Sequence, residues 1–398
     1  MTRLKSLLLA SVAALAGLAV VAPWAPAQPE AKPPRITLVF HREADKAVPS
    51  ASMRFGIIVP GDKKRLTFDP MGRSSNTCLK IDGNERLLGT APGQWLTKEA
   101  KLGADPAGRE RIGLRSTWLY PDEKVEVTQT VEIAQGQQTF DVDTCWIRYT
   151  IENKDDREHK VGLRFLLDTL IGTNDGAPYI VPGESSLCET FREYQSADKA
   201  PEFVQALESL DFKKPGVVAH LKLKLGGALE PPDRALLTSW PDPRLKLPNA
   251  LGTNTLWAVP TVPITKTKDS AAVLYWNEKE LPAGGKRELG FTYGLGNFSA
   301  NAAGDLGIVL GGAFKAGTDV TVLALVKNPP AGQTLTLRHT EGLERVGGAE
   351  TLPVPAASGV SKVSPVTWKV RATKAGTYCV GIESSNGSFH HQGVKIGK

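Results

Sequence analysis

The chain has 398 residues, of which 41% are hydrophobic and 23% are charged, and its formal net charge is +6 at pH 7. This length exceeds what one hydrophobic core usually organises, so we expect two domains. The weak positive charge is not concentrated with aromatic residues on one element, which argues against a nucleic-acid-binding protein. The 39 glycines and 28 prolines punctuate short alternating apolar runs, a pattern typical of an all-β protein.

The N-terminus has the pattern of a secretory signal. Two basic residues precede an uncharged apolar run over residues 7–22, and a small-residue cleavage pattern ends at Ala27. We therefore expect residues 1–27 to be a signal peptide and residues 28–34 a short linker. The mature protein is expected in the periplasm, at the cell surface or in the medium. No later segment is long and apolar enough for a transmembrane helix, which needs about 20 residues.

Exported proteins can form disulfides, and this chain has four cysteines. Four cysteines allow three complete pairings, between which a sequence cannot choose. Cys78 and Cys188 both lie in polar, loop-like surroundings and form the candidate disulfide. Cys145 and Cys379 lie within strand-like runs and are predicted to be buried free thiols. The cysteines do not occur as CxxC pairs, so no metal site is predicted.

Alternating apolar residues predict a series of strands in the first three quarters of the chain. These are Arg35–Phe40, Met53–Val59, Ile112–Trp118, Val125–Ile133, Thr139–Glu152, Val161–Ile171, Val217–Leu225, Leu236–Trp240, Leu256–Val259, Ala271–Trp276 and Arg287–Tyr293. One helix is predicted after Asp198, because Pro201 suits a first turn and apolar residues recur at helical spacing from Phe203 to Leu210. So many strands with a single helix predict a large two-layer β-sandwich over residues 35–298.

The stretch from Asp141 to Gly183 predicts a β-hairpin whose second strand carries charge among apolar residues. Side chains alternate between the two faces of a strand. In Val161–Ile171, every second residue counted from Val161 is therefore predicted to face the core, and Arg164 and Asp168 are predicted to lie on the opposite face. Burying a charged side chain costs free energy, so the presence of Arg164 and Asp168 on this face requires an explanation. Two interpretations remain open: an ion-pair ladder on a solvated sheet face, or a polar cleft on a concave sheet.

The segment Gly172–Gly176 directly follows that strand and contains Asn174 and Asp175. Asn, Asp and Gly tolerate positive φ, so the segment predicts a tight turn. Its oxygens are also suited to an ion contact, but a calcium loop needs more carboxylates at fixed offsets. Further along, His220 and Lys222 share one face of the Val217–Leu225 strand. That face is predicted to be either an ordinary solvated face or a binding surface.

Residues 299–306 are small and polar and are predicted to be a linker. Residues 307–398 are predicted to form a smaller immunoglobulin-like β-sandwich, because their length and strand spacing suit that architecture. Its predicted strands are Thr318–Val326, Thr334–Arg338, Ser364–Arg371 and Gly376–Ile382.

The order of elements over residues 35–298 resembles the galactose mutarotase-like supersandwich, which is also a module of sugar-processing enzymes. The stretches Trp146–Gly183, Leu281–Gly285 and Phe291–Gly294 are in addition similar to uncharacterised secreted bacterial proteins. The resemblance implies a two-sheet fold and a connection with carbohydrate. Mutarotase chemistry typically pairs a glutamate with histidines, and no position here matches such a motif, so no catalytic residue is carried over.

Two functions are therefore expected. The first is a non-catalytic exported protein that binds polysaccharide or a cell-envelope protein through the large sandwich. The alternative is a carbohydrate-active enzyme, mutarotase-like or glycoside-processing, with Arg164, Asp168 and His220 around one cleft. Asn174, Asp175 and Lys222 complete the candidate cleft, and no cofactor is predicted. If Asp168 and His220 lie on different sheets, one hydrogen-bonded catalytic site cannot include both. The candidates for stacking on sugar rings are Trp95, Trp118, Trp146, Trp240, Trp257 and Trp276.

Overall fold

The computed structural model describes residues 32–40, 53–61 and 63–398. The predicted signal peptide and most of the predicted N-terminal linker lie outside the described residues. The described part is an all-β protein with four antiparallel sheets, which confirms the predicted fold class. None of its helices combines the length and the apolar character that crossing a membrane requires.

The first part of the chain contains the strands of two large sheets. The strands are β1 (Thr37–Phe40), β2 (Phe55–Val59), β3 (Lys64–Thr67), β4 (Asn76–Ile81), β5 (Asn84–Leu87), β6 (Gln94–Lys101), β7 (Ile112–Tyr120), β8 (Val125–Gln135), β9 (Val142–Asn153), β10 (His159–Gly172), β11 (Tyr179–Ile180), β12 (Arg192–Tyr194), β13 (Phe203–Leu207), β14 (Val218–Lys222), β15 (Arg234–Thr238), β16 (Ser270–Leu281) and β17 (Lys286–Leu295). A short helix α1 (Ile264–Thr267) and two 3-10 helices, Pro243–Leu245 and Gly252–Asn254, lie between β15 and β16.

These strands pack as two layers around one hydrophobic core. The nine-stranded sheet runs in the order β1-β2-β3-β10-β16-β15-β12, with β4 paired to β10 and to β5. The eight-stranded sheet runs in the order β11-β13-β14-β17-β9-β8-β7-β6. Alternate residues of both sheets meet in the core, among them Ile57, Leu79, Val127, Ile147, Phe165, Leu274 and Phe291. Burial of each such side chain contributes about 2 kcal/mol.

Strand β10 lies in the middle of the nine-stranded sheet, and its two faces are as predicted. Leu163, Phe165 and Leu167 belong to the core, while Arg164 and Asp168 alternate with them on the outer face. That outer face is not solvated, because the segment between β15 and β16 folds across it. Its tryptophans Trp240 and Trp257 and its Val259 pack on Leu166, Leu236, Ala271, Val273 and Tyr275. We call residues 240–262 the cover segment.

The rest of the chain forms a smaller sandwich. Its strands are β18 (Ser299–Ala300), β19 (Leu306–Gly312), β20 (Asp319–Lys327), β21 (Thr334–His339), β22 (Leu343–Arg345), β23 (Thr351–Pro353), β24 (Val363–Ala372), β25 (Gly376–Ser384) and β26 (Phe389–Ile396). One sheet has the order β18-β19-β20-β24-β22 and the other the order β23-β21-β25-β26. They enclose a second core that includes Ile308, Val322, Leu337, Trp368 and Ile382.

A third apolar cluster joins the two sandwiches. On one side it contains Phe203 and Leu207 of β13, and on the other Val309, Leu323 and Val363 of the smaller sandwich. This junction explains one departure from the predicted elements. The apolar residues predicted as a helix form strand β13, whose five residues are all buried. A strand that is apolar on both faces lacks the alternation that identifies strands, so its pattern resembles a buried helix.

The residues predicted as a linker, 299–306, begin with β18, which pairs with β19. The side chain of Asn301 closes the turn between them by accepting hydrogen bonds from the backbone N–H groups of Gly304 and Asp305. The small polar residues therefore build a tight hairpin. The prediction of a strand over Leu256–Val259 is also wrong, since these residues belong to the irregular cover segment.

The predicted hairpin in Asp141–Gly183 is wrong in its pairing. Strand β9 belongs to the eight-stranded sheet and β10 to the nine-stranded sheet, so the turn between them crosses from one layer to the other. The Asn153 side chain holds this arch by donating to the carbonyls of Arg157 and Leu281. Alternation shows which side of a strand faces a core, but not the layer to which the strand belongs.

The predicted Cys78–Cys188 disulfide is also wrong, since all four cysteines are free thiols. Cys78 is buried on β4. Cys188 is also buried, and its backbone pairs with that of Tyr179 in an isolated antiparallel β-bridge. Burial raises the pKa of Cys78 to about 11 and that of Cys188 to about 12, so both thiols are protonated and unreactive at neutral pH.

Candidate functional site

The six residues predicted to line one cleft lie in three separate places. Arg164 is buried on the outer face of the nine-stranded sheet, beneath the cover segment. Asp168, Asn174 and Asp175 lie at the end of β10 and in the turn after it. His220 and Lys222 are on β14 of the other sheet. Since Asp168 and His220 are on different sheets, the structure contradicts a catalytic cleft that contains both.

Arg164 is fully buried, and its hydrogen-bond partners among the described residues are neutral oxygens. Its guanidinium donates to the carbonyls of Asn76, at 3.2 Å, and Thr255, at 2.6 Å, and also to the Asn76 side chain and the Leu256 carbonyl. Burial lowers the pKa of Arg164, because the loss of hydration outweighs the opposing effects of Cys78, Tyr275 and Glu85. Arg164 therefore ties the cover segment to the sheet and is inaccessible to solvent.

Three carboxylates converge at the end of β10: Asp168, Asp175 and Asp269. Each can place one oxygen so that the three atoms lie within 4.8 Å of one another. The topology accounts for this, because β10 and β16 are antiparallel neighbours with Thr169 opposite Ser270. Asp269, the residue before β16, therefore lies beside the end of β10. Asp269 escaped prediction because sequence does not show which strands are neighbours.

Burial and mutual repulsion disfavour the ionised forms of these three groups. The pKa of Asp168 is raised well above its ordinary value, first by burial and then by the charge of Asp269, while the Ser74 hydroxyl acts in the opposite direction. Burial raises the pKa of Asp175 to about 6 and, with the charge of Asp175, that of Asp269 to about 7. Binding of a group that neutralises the negative charge of these three carboxylates is therefore favourable.

A recess lies on the outer face of the eight-stranded sheet, next to the smaller sandwich, and contains His220 and Lys222. Its lining combines seven polar side chains with Trp146, two leucines and two glycines: Gln135, Gly136, Gln137, Gln138, Thr144, Trp146, His220, Lys222, Leu225, Thr292, Leu295 and Gly312. The space at its base is about 30 Å³, which accommodates one or two water molecules. The recess is therefore too small to enclose a ligand as large as a sugar ring.

His220 and Lys222, the two predicted site residues in the recess, form its floor through contacts with neighbouring residues. Lys222 is buried and donates to the Gln137 side chain at 2.6 Å and to the Gly312 carbonyl at 2.8 Å. His220 Nδ1 lies 3.2 Å from the Gln138 amide nitrogen, and its ring packs on Phe203. Burial and the Lys222 charge lower the pKa of His220 to about 3, so it stays neutral at physiological pH. The outer face of β14, predicted to be either a solvated face or a binding surface, therefore contacts the smaller sandwich through Lys222 and the Gly312 carbonyl.

Trp146 differs from the other tryptophans of the large sandwich in what it faces. Trp118 and Trp276 are buried in the core, and Trp95 packs edge-on against Trp118. Trp240 and Trp257 belong to the cover segment. Trp146 is half-buried on β9, lines the recess, and lies 5.8 Å from the Arg148 guanidinium. Within the described residues, its indole N–H makes no hydrogen bond.

Neither family models nor curated proteins match this sequence. Solved structures are similar only at low identity. A galactose mutarotase-related enzyme from Lactobacillus acidophilus is 10% identical with a TM-score of 0.39, over 67% of this chain and 96% of its own. An α-galactosidase from Lactobacillus brevis is 11% identical with a TM-score of 0.32, over 67% of this chain and 33% of its own.

A polysaccharide lyase is similar over 90% of this chain, with 12% identity and a TM-score of 0.32. This chain spans about half of that protein, 46% of its length.

Proposed function

We propose that this chain is an exported, non-catalytic protein that binds polysaccharide on the outer face of its eight-stranded sheet. Residues 1–27 would direct export, and residues 307–398 would form an immunoglobulin-like domain attached to the binding domain over residues 35–298. The observation that carries the proposal is Trp146, a half-buried indole on the outer sheet face, beside a recess that polar side chains and two leucines line and that is too narrow to enclose a sugar ring.

The chemistry around Trp146 suits a polymer of sugars. The apolar face of a sugar ring packs on an indole, and its hydroxyl groups need hydrogen-bonding partners around the ring. The amide of Gln137 and the hydroxyls of Thr144 and Thr292 line the adjoining recess. An open sheet face with a shallow recess accommodates a chain that continues beyond one ring, and this favours a polysaccharide over a free monosaccharide.

The same surroundings support a non-catalytic role. No carboxylate is among the residues that line the recess. The histidine there has a pKa of about 3 and its Nδ1 faces an amide, so it is far from the neutral pKa that suits a general acid or base. The carboxylates at the end of β10 lie on the other sheet, away from Trp146.

A glycan array with the purified mature protein, followed by titration of any hit, tests this proposal. Trp146→Ala is expected to weaken binding at least about ten-fold, because loss of a central aromatic side chain typically costs about 2 kcal/mol or more and about 1.4 kcal/mol corresponds to ten-fold. The matched control is Phe389→Ala, which removes an aromatic side chain that is 51% exposed on the smaller sandwich. Phe389→Ala is expected to bind like the unaltered protein.

Three outcomes would contradict the proposal. The protein binds no polysaccharide, Trp146→Ala binds as well as Phe389→Ala, or the purified protein turns over a bound glycan. Capture of a cell-envelope protein that is unaffected by Trp146→Ala would assign the binding role to a different surface.

A further inference from the structure

We propose that Asp168, Asp175 and Asp269 bind a calcium ion between the end of β10 and the beginning of β16. This site is independent of polysaccharide binding, since it lies on the outer side of the nine-stranded sheet and Trp146 lies on the outer side of the other sheet.

The positions of the three carboxylates fit one ion. One oxygen from each lies within 4.8 Å of the others. Calcium binds oxygens at about 2.4 Å, so two of its ligands on opposite sides are about 4.8 Å apart. The donors here are oxygen atoms, the ligands that calcium prefers, whereas zinc favours histidine and cysteine.

Unsatisfied buried groups point into this space. Asp168 is only 2% exposed, and its Oδ1 atom has no hydrogen-bond partner within the described residues. The Ser74 hydroxyl lies beside the Asp168 carboxylate, comes from a different part of the chain, and is likewise buried without a partner of normal geometry. Buried polar atoms are almost always satisfied, so these orphans call for a ligand.

The backbone is built to bring the carboxylates together. Gly176 lies so close to Lys268 that a Cβ added to Gly176 would be 2.7 Å from the carbonyl carbon of Lys268. This contact sets the turn after β10 against the residue before Asp269. The Ser270 hydroxyl donates to the Asp175 carbonyl at 2.7 Å, and the Asn174 side chain accepts from Gly176 N–H. Asp175 and Asp269 are only half-buried, which leaves an entry path for the ion.

Calcium titrations of the protein after treatment with a chelator test this site. Calcium in excess is expected to raise the thermal unfolding temperature by about 2 °C or more, because an ion that binds only the folded state stabilises it. Terbium, a luminescent calcium substitute, is expected to emit when tryptophan is excited, since the Trp240 indole donates to the Ser74 carbonyl at 2.9 Å. Calcium should displace it.

The variants Asp168→Asn and Asp269→Asn keep the shape of each side chain and remove one charge. Each is expected to weaken terbium binding at least about ten-fold, and Ser74→Ala to weaken it less. The control Asp122→Asn removes an exposed carboxylate elsewhere and should leave binding unchanged. Asp269→Asn keeps the test decisive if Asp168→Asn does not fold.

The contrary result is equally specific. If the carboxylates are neutralised by shared protons, calcium will not change the unfolding temperature and terbium will bind alike to the protein and to Asp269→Asn. Either finding overturns the calcium site.

Discussion

At the scale of single residues, burial of the Asp143 carboxyl group raises its pKa. Asp143 on β9 is fully buried, and its Oδ2 atom has no partner within the described residues. Burial raises its pKa to about 6, although hydrogen bonds from the Thr139 and Thr144 hydroxyls partly oppose this. Its folded-state pKa therefore exceeds the value of about 4 in the unfolded chain.

Asp143→Asn is expected to stabilise the protein at pH 8. An acid with a raised folded-state pKa stabilises the fold fully below its unfolded pKa, and this contribution is lost as the pH rises through about 6. The neutral asparagine avoids that loss, so the variant should be more stable by about 3 kcal/mol at pH 8 and equally stable near pH 3. Urea unfolding across this pH range measures the difference. A pH-independent difference, like that of the exposed control Asp122→Asn, would refute the assignment.

At the scale of elements, the cover segment shows how an irregular stretch is held on a sheet. Its own regular structure amounts to two 3-10 helices of three residues each, so it depends on contacts with the sheet beneath. Arg164 supplies polar contacts to the carbonyls of Thr255 and Leu256, and Trp240 supplies both apolar area and a hydrogen bond to Ser74.

Arg164→Leu is expected to destabilise the protein by about 3 kcal/mol. Leucine fills part of the space but removes the guanidinium donor from the buried carbonyl oxygens of Asn76, Thr255 and Leu256, and Thr255 keeps only the longer hydrogen bond from the Asn76 amide, at 3.3 Å. Chemical unfolding measures the loss, and hydrogen exchange should show faster opening of the cover segment. Arg244→Leu, which removes an exposed arginine of the same segment, should cost less than about 0.5 kcal/mol. Equal losses in the two variants would contradict the anchoring role.

At the scale of the whole molecule, the junction between the sandwiches depends on a close approach. A Cβ placed on Gly311 of β19 would lie 1.9 Å from the Phe203 ring. The ring of Phe203, which is fully buried, therefore rests directly on the backbone of the smaller sandwich. Together with the third apolar cluster, this contact predicts that the two sandwiches unfold as one cooperative unit.

Gly311→Ala is expected to destabilise the protein by about 2 kcal/mol and to divide its single calorimetric transition into two, because the added methyl group forces the sandwiches apart. Phe203→Ala is costly alone, but in combination with Gly311→Ala it should cost less than the sum of the two, since it removes the clash. Gly393→Ala is the matched control, because the nearest atom to its added Cβ is 3.9 Å away. Additive effects at Gly311 and Phe203 would show that the ring does not set the spacing.

The comparison of predicted and observed elements separates local from long-range information. The face alternation of β10 was predictable from sequence because the pleat of a strand is a local property. The turn at Asn174 and Asp175 was predictable because those residues tolerate its backbone angles. Strand β13 was predicted as a helix, because it is covered on both sides and so loses the alternation that would identify it.

By itself, the sequence determined an all-β chain with two sandwiches and a charged outer face on β10. Only the tertiary structure decided that β9 and β10 belong to opposite layers, and that His220 faces the smaller sandwich. It also decided that Asp269 meets Asp168. These outcomes depend on which strands become neighbours and on which segments cover their outer faces. Such contacts join residues a hundred positions apart, as Asp168 and Asp269 are, and local periodicity carries no information about them.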